Sequence, residues 1–219
     1  MDAWTMKVLN LYAGIGGNRK LWEDVEVTAV ELDPKIAAIY QDFFPDDTMI
    51  IGDAHQYLLD HYKEFDFIWS SPPCPTHSRL RRSLAVESGQ NEPVFPDMKL
   101  YEEIIFIQSH FKGLYCIENV ISYYDPLIKP QTINRHYFWA NFIIRDVRMH
   151  TNNIQYGGVG NWQERLGFDL SSYTGIDKRK ILRNCVIPEL GSLILDCARG
   201  NTQKTLVESI NSKRLRISE

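Results

Sequence analysis

Phe65-Asp66-Phe67-Ile68-Trp69-Ser70-Ser71-Pro72-Pro73-Cys74-Pro75-Thr76-His77-Ser78 is an apolar run that stops at two prolines, a cysteine and a third proline. The run from Phe65 to Trp69 is short and aromatic, and turn-forming residues follow it at once. This predicts a buried strand that hands its carboxyl end to a loop, the end at which open α/β sheets bind ligands. Pro72, Pro73 and Pro75 fix φ on both sides of Cys74 and remove backbone donors. The thiol is therefore expected on a stiff, non-helical loop, a mount that suits a nucleophile. A buried structural cysteine is the competing reading. Zinc is disfavoured, because Cys74 and His77 make at most half a site and Cys116, Cys185, Cys197 and the other histidines offer no second pair with ligand spacing.

Upstream, Lys7 to Tyr12 reads as a first strand, Ala13-Gly14-Ile15-Gly16-Gly17 as a glycine loop, and Asn18 to Glu23 as the start of a helix. Such glycines let a backbone approach a ligand closely and present helix-terminal N–H groups to it; a tight structural turn is the alternative. A second strand, Val25 to Val30, ends in Glu31-Leu32-Asp33-Pro34, and Lys35 to Phe43 is predicted helical behind the proline. An acidic residue roughly 20 positions beyond the start of a glycine loop, at the tip of the second strand, is placed to bind ribose hydroxyls. The competing role for Glu31 is a helix cap. Thr48 to Ile51 is a third strand, followed by Gly52-Asp53-Ala54-His55 and a helix from Gln56 to Tyr62. Asp53 is placed to accept from an adenine amino group, or to cap that helix, and the two roles are compatible.

Downstream, Arg79, Arg81 and Arg82 open a polar stretch to Pro96, read as a long basic loop beside Cys74; a solvated surface loop is the alternative. Met98 to His110 has helical periodicity. Leu114 to Ile117 reads as a fifth strand that brings Glu118-Asn119-Val120 to the same rim as Cys74. Ile121 to Pro130 reads as loop, and Arg135 to Phe142 as an aromatic strand with Arg135 at its entrance. Thr151 to Asn161 is polar and glycine-rich. The cluster Lys178-Arg179-Lys180 precedes a helix from Glu189 to about Ala198, and Thr202 to Arg216 reads as an amphipathic helix with a basic end that is by default solvated.

With 219 residues and 44% hydrophobic content, the chain can bury one good core, so residues 1–219 are expected to form a single catalytic domain. A net charge of −4 argues against a whole-surface nucleic-acid binder and confines any such contact to local basic patches. No apolar segment approaches a membrane span, Met1 to Asn10 lacks a signal-peptide pattern, and the cysteines form no CxxC pair. An intracellular protein is expected, in a prokaryotic cytoplasm or a virus-infected host, with nucleoid-associated activity.

Together these pieces resemble the cytosine-5 DNA methyltransferase family, in that family's order, over nearly the whole chain. Leu11 to Gly17 looks like its first cofactor motif, Glu31 its ribose carboxylate and Gly52-Asp53 its adenine contact. Pro73-Cys74 resembles the nucleophile motif, Glu118-Asn119-Val120 the catalytic glutamate motif, and Gln131 to Arg135 the arginine motif. Arg165-Leu166-Gly167-Phe168 and Arg183 to Leu190 are similar to its last two. Three positions depart from the pattern: Pro75 where the family usually has Gln, Ile133 in place of a first arginine, and Arg183 in place of a glycine.

The resemblance implies an α/β, Rossmann-like S-adenosylmethionine-dependent methyltransferase fold with a mostly parallel central sheet flanked by helices. It implies S-adenosylmethionine as cofactor, with S-adenosylhomocysteine as product, held by Tyr12, Ala13, Gly14, Gly16, Gly17, Glu31, Leu32, Asp53, Ala54, Pro73 and Asn184. It makes Cys74, Glu118 and Arg135 catalytic, requires no metal, and makes double-stranded DNA the partner, contacted by Arg79, Arg81, Arg82, Lys178, Arg179 and Lys180. Residues 143–162 stand as a minimal insertion where sequence-reading relatives carry a full recognition domain, so specificity is expected from a homodimer or a partner chain. Methylation of cytosine in RNA by the same chemistry, and a non-catalytic DNA-binding or partner subunit, are the alternatives; intact Cys74 and Glu118 weigh against the latter.

Overall fold

In the computed structural model, which describes residues 5–89, 92, 94–145 and 158–200, a seven-stranded sheet runs in the order β3-β2-β1-β4-β5-β7-β6. The strands are β1 (Met6–Leu11), β2 (Val25–Glu31), β3 (Thr48–Ile51), β4 (Phe67–Ser70), β5 (Leu114–Val120), β6 (Gln131–Ile133) and β7 (His136–Ala140). The first five pair in parallel, while β7 runs antiparallel to both β5 and β6. This is the mostly parallel, helix-flanked α/β sheet that the sequence reading expects.

The central strands carry apolar residues on both faces, β4 as a continuous run, because both faces of the sheet are covered. Val8, Val27, Ala29, Phe67, Trp69, Cys116 and Phe138 point to one side, under Trp22 and helix α7 (Pro188–Ala198). Leu9, Leu11, Val30, Ile68, Ile117 and Trp139 point to the other, under α2 (Ala54–His61) and α4 (Lys99–His110). A third cluster joins Ile39 of α1 (Pro34–Phe43) to α5 (Val159–Leu166) and α6 (Lys178–Arg183).

The chain winds outward from β1 through β2 to β3, then crosses back to β4 on the other side of β1. The β1–β4 junction is thus a topological switch point, where the carboxyl ends leave a crevice. Register sets what lines it. Leu11 pairs with Val30 and with Ser70, and Ser70 pairs with Ile117. One step further on, Tyr12, Glu31, Ser71 and Glu118 therefore stand level along the rim.

Several local expectations are corrected. Asn18 to Glu23 makes only a 3-10 turn at Arg19–Leu21, because Trp22 leaves the helical conformation to bury its indole, donating from Nε1 to the Gly191 carbonyl at 3.0 Å. The stretch after Cys74 is not all loop. Arg79–Arg82 forms a short helix, α3, and Ser83–Glu87 continues it as a π turn, with the Ser78 side chain accepting from the Arg81 amide at its start. Glu118 lies within β5 rather than beyond it. The segment before Arg135 contributes its own strand, β6, joined to β7 by the turn Asn134-Arg135, where Asn134 adopts φ 54°. Residues 159–162 of the expected insertion belong to α5, and Lys178–Arg183 is helical. Residues 146–157 of that stretch and the expected helix from Thr202 to Arg216 lie outside the described residues. None of the described helices is long and apolar enough to cross a membrane.

Candidate active site at the carboxyl rim

The glycine loop is clamped from two sides. Glu31 Oε2 accepts from the Gly14 amide at 2.9 Å and Oε1 from the Asp33 amide at 2.9 Å, so the carboxylate at the tip of β2 fixes the turn after β1. A Cβ at Gly16 would lie 2.3 Å from the Phe44 ring, and one at Gly17 would lie 2.5 Å from the Val186 carbonyl. Packing against α1 and against Cys185-Val186 demands these two glycines. Gly14 differs: it has φ 55°, and nothing lies within 4 Å of an added Cβ. The turn thus leaves its open side over the crevice.

Tyr12, also at positive φ, directs its hydroxyl to Glu103, a completely buried carboxylate on α4. Glu103 also accepts from Ser70 Oγ at 2.9 Å and sits 3.2 Å from His55 Nδ1. Burial raises its pKa, and the hydrogen bonds from Tyr12, Ser70 and His55 oppose the rise. This residue joins the tips of β1 and β4 to the start of α2, and the sequence reading missed it. A signal existed: positions 100, 103, 104 and 107 form one buried helical face, and Glu103 is the charge on it.

Asp53 caps α2, with Oδ1 accepting from the His55 and Gln56 amides at 2.8 and 3.2 Å. Ala54 is buried beneath it, while Leu32 is 71% exposed at the rim. An open glycine turn, a carboxylate at each of two strand tips and an exposed apolar side chain beside them suit a nucleoside with an amino-acid tail. Asn184 closes α6 and is exposed, and the residues after it press on Gly17. Arg165 Nη1 reaches Glu189 Oε1 at 2.7 Å, tying the two C-terminal motifs together. Pro73 is exposed on the loop before Cys74.

The Cys74 loop is held rather than free. The Cys74 carbonyl accepts from the His77 and Ser78 amides at 3.0 and 3.1 Å, and Asn119 Nδ2 donates to the Pro72 carbonyl at 3.1 Å. Burial and the neighbouring charge of Glu118 push the thiol up to about 11, against a backbone hydrogen bond and the Arg183 guanidinium. Cys74 and Glu118 therefore sit within electrostatic reach of one another, and Arg183, one of the departures from the family pattern, adds positive charge to the thiol's surroundings. Glu118 is 8% exposed, and its Oε1 lies 2.6 Å from His136 Nδ1. Arg135 is exposed in the turn before His136, close enough to influence the imidazole.

Among the expected DNA contacts, Arg79 Nε donates to the Ser122 carbonyl at 2.8 Å and the Arg82 guanidinium lies 4.5 Å over the Tyr123 ring. With Arg81, Pro75 and Thr76, Arg82 and Tyr123 line a groove that opens beside the Cys74 loop. Lys178, Arg179 and Lys180 stand elsewhere, on α6 in the α1 cluster. There Lys178 donates to the Ser171 carbonyl at 3.2 Å and the Arg179 guanidinium lies 5.8 Å over Trp162. No three His, Cys, Asp or Glu side chains group as a metal site among the described residues.

A search of curated proteins finds no match. Among solved structures the chain is similar to the Entamoeba histolytica methyltransferase EhMeth, with 16% identity over 54% of this chain and 39% of that one and a TM-score of 0.36. It is similar to a mutant of Spodoptera frugiperda DNMT2, with 26% identity, 53% and 36% coverage and a TM-score of 0.37. It is also similar to a SAM-dependent methyltransferase from Agrobacterium tumefaciens, with 15% identity, 57% and 41% coverage and a TM-score of 0.38. The chain spans less than half the length of each. The model of the family described as C-5 cytosine-specific DNA methylase matches residues 6–122, more than half of the chain and the part that carries the glycine loop, Glu31, Asp53, Cys74 and Glu118. The chain belongs to the C-5 cytosine-specific DNA methylase family.

Proposed function

We propose that the protein methylates C5 of cytosine in double-stranded DNA, using S-adenosylmethionine and a covalent link from Cys74 to the base. The observation that carries this reading is the meeting of Cys74 and Glu118, delivered by β4 and β5 to one side of the switch point, with the glycine turn and Glu31 on the other. Tyr12, Gly14, Glu31, Leu32 and Asp53 would hold the cofactor, which supplies the methyl group when bound.

Cytosine C5 is a poor nucleophile until C6 is attacked. Cys74 gives its thiol proton to solvent, Sγ bonds to C6, and the electrons of the C5–C6 double bond shift into the ring to make it an enamine. Negative charge builds on N3 and O2. Glu118 gives a proton to N3, and Arg135, at the mouth of the hairpin, offsets charge near O2. C5 takes the methyl and gives its proton to solvent; as the Sγ–C6 bond breaks, Glu118 takes back the N3 proton and the ring regains aromaticity. Because C6 is stacked inside a duplex, the base must swing out, and the basic groove lined by Arg81, Arg82 and Tyr123 beside the Cys74 loop supports contact with the displaced backbone there.

The test is incubation with labelled S-adenosylmethionine and either duplex DNA or transfer RNA, followed by identification of the modified base. Label in 5-methylcytosine of DNA, and a trapped adduct on DNA carrying 5-fluorocytosine, are the expected results. Label confined to RNA would replace the substrate, and no label in either would overturn the reading.

A further inference from the structure

Ile133 stands where the resembled motif has its first arginine, and it is 4% exposed, packed in the core. No cation from β6 reaches Glu118. The hairpin supplies a different group. β5 and β7 pair with Glu118 opposite Phe138 and Val120 opposite His136. Paired residues and residues two apart share a face, so Glu118 and His136 project from the same side, on the diagonal that long side chains can bridge. They do so at 2.6 Å between Oε1 and Nδ1. Oε2 makes no hydrogen bond among the described residues, which leaves it as the oxygen available to a bound base.

We infer that His136 is a positioning residue for the reaction proposed above: it holds Glu118 by Oε1, and the two side chains carry as a unit the proton that Glu118 gives to N3. The inference rests on that reading of the site. A carboxylate beside a neutral imidazole has no proton to spare; the pair becomes competent when it holds one more, on either partner. Burial alone would lower the pKa of His136, but the hydrogen bond and charge of Glu118 raise it above its ordinary value, with Arg135 opposing. The other titratable groups that bear on Glu118 are Cys74 from the loop after β4 and Cys116 within β5, and Arg183 at the end of α6 acts on Cys74. The competent form is the protonated one, so turnover should fall as pH rises through the raised pKa of His136.

The experiment measures turnover against pH for the wild type, His136→Ala and His136→Asn, with S-adenosylmethionine affinity as the control for folding. Asn places an amide near the position of Nδ1, so it can hold Oε1 but cannot carry the proton. His136→Ala should lower kcat by on the order of a hundredfold, the low end of what general acid catalysis contributes, with cofactor affinity unchanged. His136→Asn should recover part of that loss, and its descending limb should move to lower pH. Wild-type kcat and an unshifted limb in both variants would overturn the role of His136 while leaving the proposed function standing. Appreciable turnover by Cys74→Ala would instead overturn the proposed function.

Discussion

Asn119 is the strut between β5 and the loop that follows β4: its Nδ2 donates to the Pro72 carbonyl at 3.1 Å, and its own Oδ1 accepts from the Val120 amide at 3.0 Å. The side chain is almost wholly buried, and the loop it holds is poor in backbone donors because of its prolines. We predict that Asn119→Ala, which leaves the buried Pro72 carbonyl unpaired, costs about 1–3 kcal/mol of stability. Turnover should fall with it while S-adenosylmethionine affinity stays near that of the wild type. Thermal melts and kinetics that match the wild type would show that the Cys74 loop needs no tie to β5.

The Cys74 thiol, held up to about 11 by burial and by Glu118, is protonated at neutral pH, and the thiolate is the reactive form. Alkylation of Cys74 by iodoacetamide should therefore be slow at pH 7 and climb as pH rises toward 11. Glu118→Gln removes the neighbouring anion and should speed alkylation at any given pH; Arg183→Ala removes the opposing cation and should slow it. Mass spectrometry of the Cys74 peptide separates this signal from Cys116 and Cys185, which burial also pushes up. Equal rates in the wild type and Glu118→Gln would refute the electrostatic link between the two residues.

Glu31 and Asp53 can be separated from their structural duties. Glu31→Ala loses both amide contacts, at Gly14 and at Asp33, and we predict that it weakens S-adenosylmethionine binding by roughly 1–3 kcal/mol. Asp53→Asn preserves the cap of α2, since Asn serves as well as Asp there, but removes the carboxylate. It should keep the melting temperature and still lose affinity. Calorimetric titration giving wild-type affinity for both variants would break this map of the cofactor site.

The strand tips were legible because each apolar run ends at a residue type that cannot continue it: glycine after β1 and β3, proline after β4. Asp53 and Cys74 could be placed at the rim from that punctuation, and Glu31 and Glu118 from the point where the apolar runs of β2 and β5 meet a charge. What stayed hidden depends on partners far along the chain. Glu103 looks like one of two adjacent glutamates on a helix until Tyr12, 91 residues away, meets it. His136 looks like part of an aromatic strand until the antiparallel register of β7 turns it toward Glu118. The short β6 carries too little apolar pattern to predict, because Gln131, Thr132 and Ile133 acquire strand geometry from pairing with β7. The α3 segment was read as loop because its charges give no apolar stripe, and the Ser78 cap decides it locally.

The last prediction concerns specificity and the interval between Arg135 and Arg165. Family members that read several base pairs carry there a separate recognition domain of about 100 residues, the size of a small domain. Here β7 takes the start of the interval and α5 its end, and α5 is committed to packing, with Trp162 and Leu166 buried in the cluster with Ile39 of α1. Base-edge readout at about 1–3 kcal/mol per pair needs several side chains held rigidly in the major groove. The remaining stretch is too short to bury a core of its own. We predict that the protein alone methylates cytosine in a very short or relaxed context, and that finer discrimination comes from a partner chain or a second copy. Phosphate contacts from Arg79, Arg81, Arg82 and the Lys178 to Lys180 cluster should make affinity fall steeply with salt. Bisulfite sequencing of treated DNA decides the matter: methylation by the monomer confined to one motif of five or more base pairs would mean that the short interval reads DNA by itself.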